Sequence, residues 1–466
     1  MPPGEAAPSP GPALYRPPAP FPVSPTRALW RAIVSLRRDL ITLLPGEAYE
    51  KFDFKLGVSR RQIFLLNDPE TVRRAMGEDR ALFPKNDLMV GALAPVVGDG
   101  LFVAEENWAR YRRMIDPAFA QLRITSAYRH MAAAVQDAEP RLDRAAAAGQ
   151  PLSLEAEMSA LTADIVFRTI FSERLEGGTA ARVFEAFARY QNAVANVSLR
   201  HLLLSPAWPQ VRQPRAAVVA AAEIRDLVGA MIAARRALPD AERPDDIATD
   251  IVRARDPETG AGFTPEEMLD QISTFFMAGH ETTASVLTWA LFILSQQPQT
   301  VAAMRAEIAA AVGEGPIDAS AVKRLGLTRN VFREAMRLYP PVTFLARVAA
   351  ADTRLGDLAI PRGAMVLISP WTIHRHRRLW RDADRFDPQR FDPAREGEIV
   401  PGSYLPFGGG PRLCIGTAFA TMEAVLILAA WIRRYEIETL EADRVEPVAR
   451  LTTRPAEDIR IRLHRR

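Results

Sequence analysis

The stretch that most restricts the fold begins at "FTPEEM" (Phe263–Met268) and meets no further proline until Pro298. Thr264 is placed to cap a helix, Pro265 suits the first helical position, and Glu267 completes a capping box. Phe263 and Met268 can form a hydrophobic staple at the same end. About 33 residues at ~1.5 Å each make a helix roughly 50 Å long, enough to cross a whole domain. Its middle reads "AGHETT" (Ala278–Thr283), and polar side chains there need a partner or a purpose. The apolar run Phe275–Leu294 is long enough to span a bilayer. His280 and Glu281 lie inside it, however, and a membrane would penalise each by a few kcal/mol. A buried central helix is the better reading.

The rest of the chain supplies mostly helical, alanine-rich segments between about residues 105 and 310. Leu29–Leu43 has helical spacing, and Ile415–Tyr435 reads as a late helix. Arg61–Leu66 and Gly356–Ile360 read as short strands, and Asp256–Phe263 as a loop. The expected fold class is therefore mainly α with small β-sheets (α+β). It forms one domain over residues 25–466, behind a Pro-rich segment, 1–24, that is extended or disordered. That segment lacks the apolar core of a signal peptide or membrane anchor. Basic residues exceed acidic ones by only 59 to 56, which is no nucleic-acid footprint. The single cysteine excludes an intramolecular disulfide and fits a reducing cytoplasm.

That cysteine, Cys414, stands behind three glycines in "PFGGGPRLCIG" (Pro406–Gly416). A lone cysteine is most often a small buried hydrophobe. Here it precedes a helix N-terminus, where the dipole and free N–H groups stabilise a thiolate. Gly408, Gly409 and Gly410 let backbone pass close to the sulfur and a bulky ligand. With no second cysteine, zinc–thiolate and iron–sulfur sites are ruled out, whereas one axial thiolate to haem iron fits. His280–Glu281 begins a zinc motif that fails because residue 284 is alanine. No nucleophile elbow, P-loop or dinucleotide fingerprint is present, so electrons are expected from another protein.

"FGGGPRLCIG" (Phe407–Gly416) resembles the haem-thiolate loop of the cytochrome P-450 family. "AGHETT" resembles its oxygen-activation motif, "EAMR" (Glu334–Arg337) its Glu-x-x-Arg pair, and "DPQRF" (Asp387–Phe391) the segment whose arginine, Arg390, joins that pair. "WARYR" (Trp108–Arg112) resembles the Trp-x-x-x-Arg of a helix that reaches the haem propionates. The resemblance spans roughly residues 25–466. It implies a triangular helical domain with the long helix over haem b, Cys414 as axial ligand and O2 as co-substrate. It also implies Phe407 against the sulfur side, and Trp108, Arg112, Arg347, Arg412 and, more weakly, Lys85 toward the propionates. Glu334, Arg337 and Arg390 would form a buried structural network. Thr282 would hydrogen-bond oxygen at the haem and Glu281 relay protons to it, while Ala278 and Gly279 leave room. The substrate pocket would take Phe102, Phe275, Phe276, Ala278, Thr282, Val342, Thr343, Phe344, Leu451 and Thr452.

The implied activity is insertion of one oxygen atom into a C–H or C=C bond of a mostly apolar small molecule, such as a fatty acid, terpenoid, steroid or aromatic. A monomer of soluble bacterial type is expected, reduced by a ferredoxin or flavodoxin with an NAD(P)H-dependent reductase. Arg110, Arg113, Lys323, Arg324 and Arg329 are expected to help form a basic docking face for it. Two rivals are a peroxide-driven peroxygenase, which typically lacks the acid–alcohol pair Glu281–Thr282, and a non-catalytic haem-thiolate sensor, which would usually carry an output domain. His280 reads as an ordinary helix residue. His374 and His376, in "HRHRRLW", read as a solvated turn.

Overall fold

The computed structural model describes residues 14–20, 24, 41, 44–56, 62–176, 178–194 and 213–466. The helix expected over Leu29–Leu43 lies outside the described residues. The helices, in chain order, are α1 (Pro69–Met76), α2 (Asp87–Val97), α3 (Trp108–Ile115), α4 (Gln121–Ala147), α5 (Leu154–Phe171), α6 (Gly178–Ala193), α7 (Arg215–Ala237) and α8 (Ile247–Arg253). They continue as α9 (Pro265–Ser295), α10 (Pro298–Val312), α11 (Ala319–Arg324), α12 (Gly326–Leu338), α13 (Pro370–Ile373) and α14 (Thr417–Arg434).

The strands are short. β1 (Phe54–Lys55), β2 (Ile63–Leu66), β7 (Met365–Ile368) and β4 (Leu345–Val348) form one sheet in that order, with β2 and β7 parallel. β3 (Leu152–Ser153), β11 (Arg460–Arg465) and β8 (Tyr435–Thr439) form a second. Two hairpins complete the set, β5 (Thr353–Leu355) with β6 (Leu358–Ile360) and β9 (Pro447–Ala449) with β10 (Thr453–Pro455). The mainly α class with small sheets is what the sequence leads one to expect. Gly356, expected within a strand, instead turns the first hairpin with φ +55°, a conformation glycine adopts without steric cost.

α9 is the organising element. Thr264 Oγ1 accepts from Glu267 N at 3.2 Å, and the Glu267 carboxylate accepts from Thr264 N at 2.8 Å, so the capping box is closed. The helix ends at Ser295, two residues before the expected limit. Its first half, Met268 to Met277, belongs to one hydrophobic core with α3, α5, α6 and α7. Its second half, Ala284 to Leu294, belongs to a second core with α4, α12 and α14. Between these halves Ala278 is exposed and Gly279 and Thr282 are half-buried, although the surrounding turns are buried. The seam between two cores thus leaves Ala278, Gly279 and Thr282 accessible beside the polar stretch at the middle of the helix.

Residues 14–20 run extended against the body: the Tyr15 carbonyl accepts from Phe386 N at 2.8 Å, and the Pro18 carbonyl from Tyr339 Oη at 2.6 Å. The "HRHRRLW" segment corrects a sequence expectation. His374, Arg375 and His376 are buried, not a solvated turn. The Arg375 guanidinium lies 3.6 Å from the Trp371 ring centre, and His376 stacks on Phe52. Basic composition suggested solvent; aromatic faces and backbone carbonyls bury the segment instead.

His374 accepts from Leu405 N through Nε2 at 2.9 Å, which fixes the lead into the cysteine loop. Burial, with Arg337 and Arg375 adding to it, pushes its pKa down to about 3. The unfolded chain therefore takes a proton near pH 6.5 that the folded chain refuses until about pH 3. Stability held above pH 6.5 is lost as pH falls, at about 1.4 kcal/mol per pH unit for one such group. His374→Gln keeps an acceptor and removes the titration. Its unfolding free energy, followed from pH 7 to pH 5, is expected to fall less steeply than wild type; equal slopes would exclude His374 as a source of acid sensitivity.

Candidate active site

Cys414 lies three residues before α14, in a loop held by backbone contacts. Its N–H donates to the Phe407 carbonyl at 3.0 Å, and Thr417 Oγ1 donates to its carbonyl at 2.8 Å. Arg112 Nη1 donates to the adjacent Leu413 carbonyl at 2.8 Å. Phe407 is half-buried and packs against the larger core. Two of the three glycines have a further role in the backbone itself. Gly408 and Gly410 have φ of +76° and +64°, and a Cβ on Gly410 would sit 2.2 Å from the Met76 carbonyl oxygen. They turn the loop and admit the end of α1.

Cys414 is exposed, although protein atoms surround it on most sides. Burial among protein atoms raises its pKa, against the Gly416 N–H, Arg112 and Thr417, which lower it. The helix N-terminus alone, which the sequence suggested would yield a thiolate, is outweighed by desolvation. A metal cation reverses that balance, since a coordinating thiol is deprotonated outright.

α9, which carries the accessible strip, and α14, which follows Cys414, pack on each other. The Thr282 hydroxyl donates to the Ala278 carbonyl at 2.7 Å, leaving its oxygen free to accept. Gly279 also serves packing, because a Cβ there would lie 3.0 Å from Val166 on α5. Phe276 is placed away from the strip, in an aromatic core with Phe167, Phe187 and His280, which corrects its assignment to the pocket. Phe275 is buried edge-on against Phe119. His280, with Nδ1 bound to the Phe276 carbonyl at 2.8 Å, is a core residue as expected.

Glu281 is not open to solvent. Its Oε1 accepts from Thr452 Oγ1 and Arg454 Nε, each at 2.7 Å, and its Oε2 from Gln191 Nε2 and Arg454 Nη2. Burial pushes its pKa up, but Arg454 prevails and holds the carboxyl below its ordinary value. Thr452, assigned to the pocket, thus spends its hydroxyl on Glu281 and is buried. Thr343 is likewise buried, 3.1 Å from the Thr453 hydroxyl. Val342, Phe344, Leu451 and Phe102 remain half-buried.

A cluster of cations forms a second part of the site. Lys85 and Arg347 pair through their backbones, and Arg412 stacks 4.9 Å from the Trp108 ring centre. Arg347, Arg412, Trp108, Arg80 and Glu105 line a cavity of about 250 Å³. Burial, with Arg412 adding to it, lowers the pKa of Lys85 to about 7 and of Arg347 to about 10. The pKa of Arg412 itself is lowered by burial, against Glu105. Glu105 binds Arg412 Nη2 at 2.6 Å and is the nearby carboxylate. Three partly desolvated cations share Glu105, with Asp99 adding a weaker attraction at Lys85; they remain underneutralised, so the donor set fits a group that brings two carboxylates, and the exposed thiol fits its iron. These residues suit the haem that the motifs imply. Arg112, expected at the propionates as well, donates to the Leu413 carbonyl, next to Arg412, and to Asp116.

Behind the site, Glu334 is fully buried. It accepts from Arg337 Nε and Nη2 at 2.7 and 2.8 Å, from Arg390 Nε at 3.1 Å and from Asp387 N at 3.0 Å. The expected docking face is smaller than thought. Arg110 is bound to Glu267 at 2.6 Å, and Arg113 to Asp256 and Glu258, so both are neutralised. Lys323 and Arg324 are exposed, and Arg329 caps the Lys323 carbonyl at 2.7 Å. Gln191, Arg454 and Glu105 escaped the sequence reading, because no local motif marks a partner 90 or 173 residues away, as Gln191 and Arg454 are from Glu281.

The profile of the family described as Cytochrome P-450 matches residues 44–461. The chain is 34% identical over 402 residues to cyclooctatin synthase of Streptomyces melanosporofaciens, covering 84% of each protein. It is also 34% identical to cyclooctat-9-en-7-ol 5-monooxygenase of the same organism, over 88% of this chain and 86% of that one. Identity to pentalenene oxygenase of Streptomyces avermitilis is 29%, over 88% and 89% of the two chains. Among solved structures, the cytochrome P450DA haem domain superposes with a TM-score of 0.77 at 26% identity, covering 89% of this chain and 90% of that one.

Proposed function

Since the chain belongs to the cytochrome P-450 family of haem-thiolate monooxygenases, we propose that it oxidises an apolar terpenoid-class hydrocarbon or alcohol. The names of its relatives support this: one refers to cyclooctat-9-en-7-ol and another to pentalenene. The observation that carries the site assignment is an exposed Cys414 just before α14, together with exposed Ala278 and half-buried Thr282 on α9, the helix that packs on α14.

In this reading Cys414 holds haem b, and Lys85, Arg347 and Arg412 meet its propionates, with Trp108 stacked behind Arg412. When bound, the haem supplies reduction of O2 and transfer of one oxygen atom to carbon. The chain's own residues position and protonate. The Thr282 hydroxyl, already donating to Ala278, accepts a hydrogen bond and holds a proton close to the reacting oxygen. Glu281 is the carboxylate nearest in sequence that can bring protons to it. Val342, Phe344, Leu451 and Phe102 offer an apolar surface and exclude water. Glu334, Arg337 and Arg390 keep the cysteine side rigid. No helix among the described residues is long and apolar enough to cross a membrane. Electrons come from an external redox partner, for which a ferredoxin or flavodoxin with its reductase is the best fit. The presence of both Glu281 and Thr282 favours this over a peroxide-driven enzyme.

Thr282→Ala tests the reading. It removes the hydroxyl while Cys414 and the apolar walls remain. Consumption of reduced cofactor is expected to stay within a few-fold of wild type while hydrogen peroxide rises. Product should fall by about a hundredfold, the lower range of a general-acid contribution. The three are measured together with a substrate found by ligand-induced spin shift. Wild-type coupling would reduce Thr282 to an ordinary helix residue.

A further inference from the structure

Glu281 carries a difficulty for its proposed task. A carboxylate has about four lone-pair sites, and Thr452, Gln191 and the two nitrogens of Arg454 occupy them. Thr282, next along the chain, donates to Ala278 instead. While those four contacts hold, Glu281 can neither take up a proton nor pass one on. Whatever releases it sets the rate of proton delivery.

Arg454 is shared. Its Nη1 lies 2.8 Å from Oε1 of Glu155, in the first turn of α5, while its Nε and Nη2 hold Glu281. One guanidinium thus bridges two carboxylates. Glu281 is the inner one, with 6% of its side chain exposed, and Glu155 the outer one, with 28% exposed. Burial raises the pKa of Glu155, the Glu281 charge raises it further, and Asp458 adds to this, against Arg454 and Arg450. His280 is the other titratable neighbour of Glu281; its charge would lower the Glu281 pKa, but burial holds His280 neutral. The chain of groups runs from partly exposed Glu155 through Arg454 to buried Glu281.

We propose that Arg454 is a positioning residue divided between Glu281 and Glu155, and that ionised Glu155 draws it outward to release Glu281 for proton delivery toward Thr282. Each cycle places one proton from water on a Glu281 oxygen and passes that proton on toward Thr282, returning Glu281 to the carboxylate. Gln191, on α6, also bonds the Arg454 guanidinium at 3.3 Å, so a shift of α6 acts on the same contact. This inference rests on Glu281 as the proton carrier proposed above.

The test compares the holoenzyme with its Glu155→Gln and Glu281→Gln variants. Glu155→Gln leaves Glu281 as the remaining strong acceptor of Arg454. Arg454 then holds the Glu281 carboxylate more firmly, and its protonated form becomes about tenfold rarer. Product per reducing equivalent is expected to fall by that order, with hydrogen peroxide rising and the spin-shift titration of substrate unchanged. A second readout needs no turnover. The raised pKa of Glu155 means that wild type holds its contribution below about pH 4.5 and loses it as pH rises through the folded value. Glu155→Gln removes that loss, so its thermal midpoint is expected to gain on wild type between pH 4.5 and pH 7. Wild-type coupling and an unchanged pH profile in Glu155→Gln, with Glu281→Gln uncoupled, would overturn the shared-arginine device but leave Glu281 as the carrier. Wild-type coupling in Glu281→Gln would overturn both.

Discussion

Cys414→Ala is expected to abolish the long-wavelength Soret band that the reduced carbon-monoxide complex of thiolate-ligated haem displays, and monooxygenase turnover with it. The chain has no other cysteine, and no group of three or more His, Cys, Asp or Glu among the described residues could hold a metal in its place. The loop itself should persist. Its contacts run through the backbone of Cys414 and its neighbours, from Phe407, Thr417 and Arg112, and none needs the sulfur. The variant therefore separates ligation from folding: circular dichroism should be unchanged while the band is lost. Survival of the band would mean that the axial ligand lies elsewhere.

Glu334→Ala is expected to destabilise the protein by roughly 3–5 kcal/mol, the range for removing one partner of a buried ion pair. A single carboxylate faces two guanidiniums, all three at or below 6% exposed. Without it, Arg337 and Arg390 keep only carbonyl partners, those of His374, Ala383 and Arg385 for Arg337 and of Arg381, Asp382 and Arg385 for Arg390. Two positive charges then lie in a low-dielectric interior with no counter-charge. The Asp387 N–H, which donates to the same carboxylate, also loses its acceptor. Denaturant unfolding and haem content measured on the same preparation check this. A variant with wild-type stability and full haem loading would make the triad an ordinary helix pair. Glu334→Gln keeps an acceptor but not the charge, and should fall between the two.

These two sites were legible before any coordinates because their signals are local. The loop motif lies within ten residues, and Glu334 and Arg337 stand one helical turn apart. The capping box is read in the same way, from Thr264 and Glu267 three positions apart. The buried histidines were misread for the opposite reason. "HRHRRLW" is polar in composition, and its burial rests on Trp371, one helical turn away, and on Phe52 and the Leu405 N–H, which arrive from distant parts of the chain. Phe276 illustrates a subtler failure. It is adjacent to Phe275 and two residues from Ala278, but successive helical positions point about 100° apart, and the strip beside Ala278 excludes it.

By itself the sequence determined the long capped helix, the thiol before a late helix, the adjacent Glu281–Thr282 pair and the Glu334–Arg337 pair, because each is set by spacing over a few residues; Arg390, 56 residues from Glu334, entered only through the family resemblance. The tertiary structure alone decided which charges those groups meet. It placed Arg454 on Glu281, 173 residues away; it gathered Lys85, Arg347 and Arg412 at one cavity edge; and it spent Arg110 and Arg113 on acidic neighbours. The physical reason is one of range. Helix caps and turns depend on neighbours along the chain, whereas the protonation and freedom of a buried side chain depend on neighbours in space. Glu281 shows both: its place on the helix follows from the sequence, and its four hydrogen bonds, from Thr452, Gln191 and Arg454, follow only from the fold.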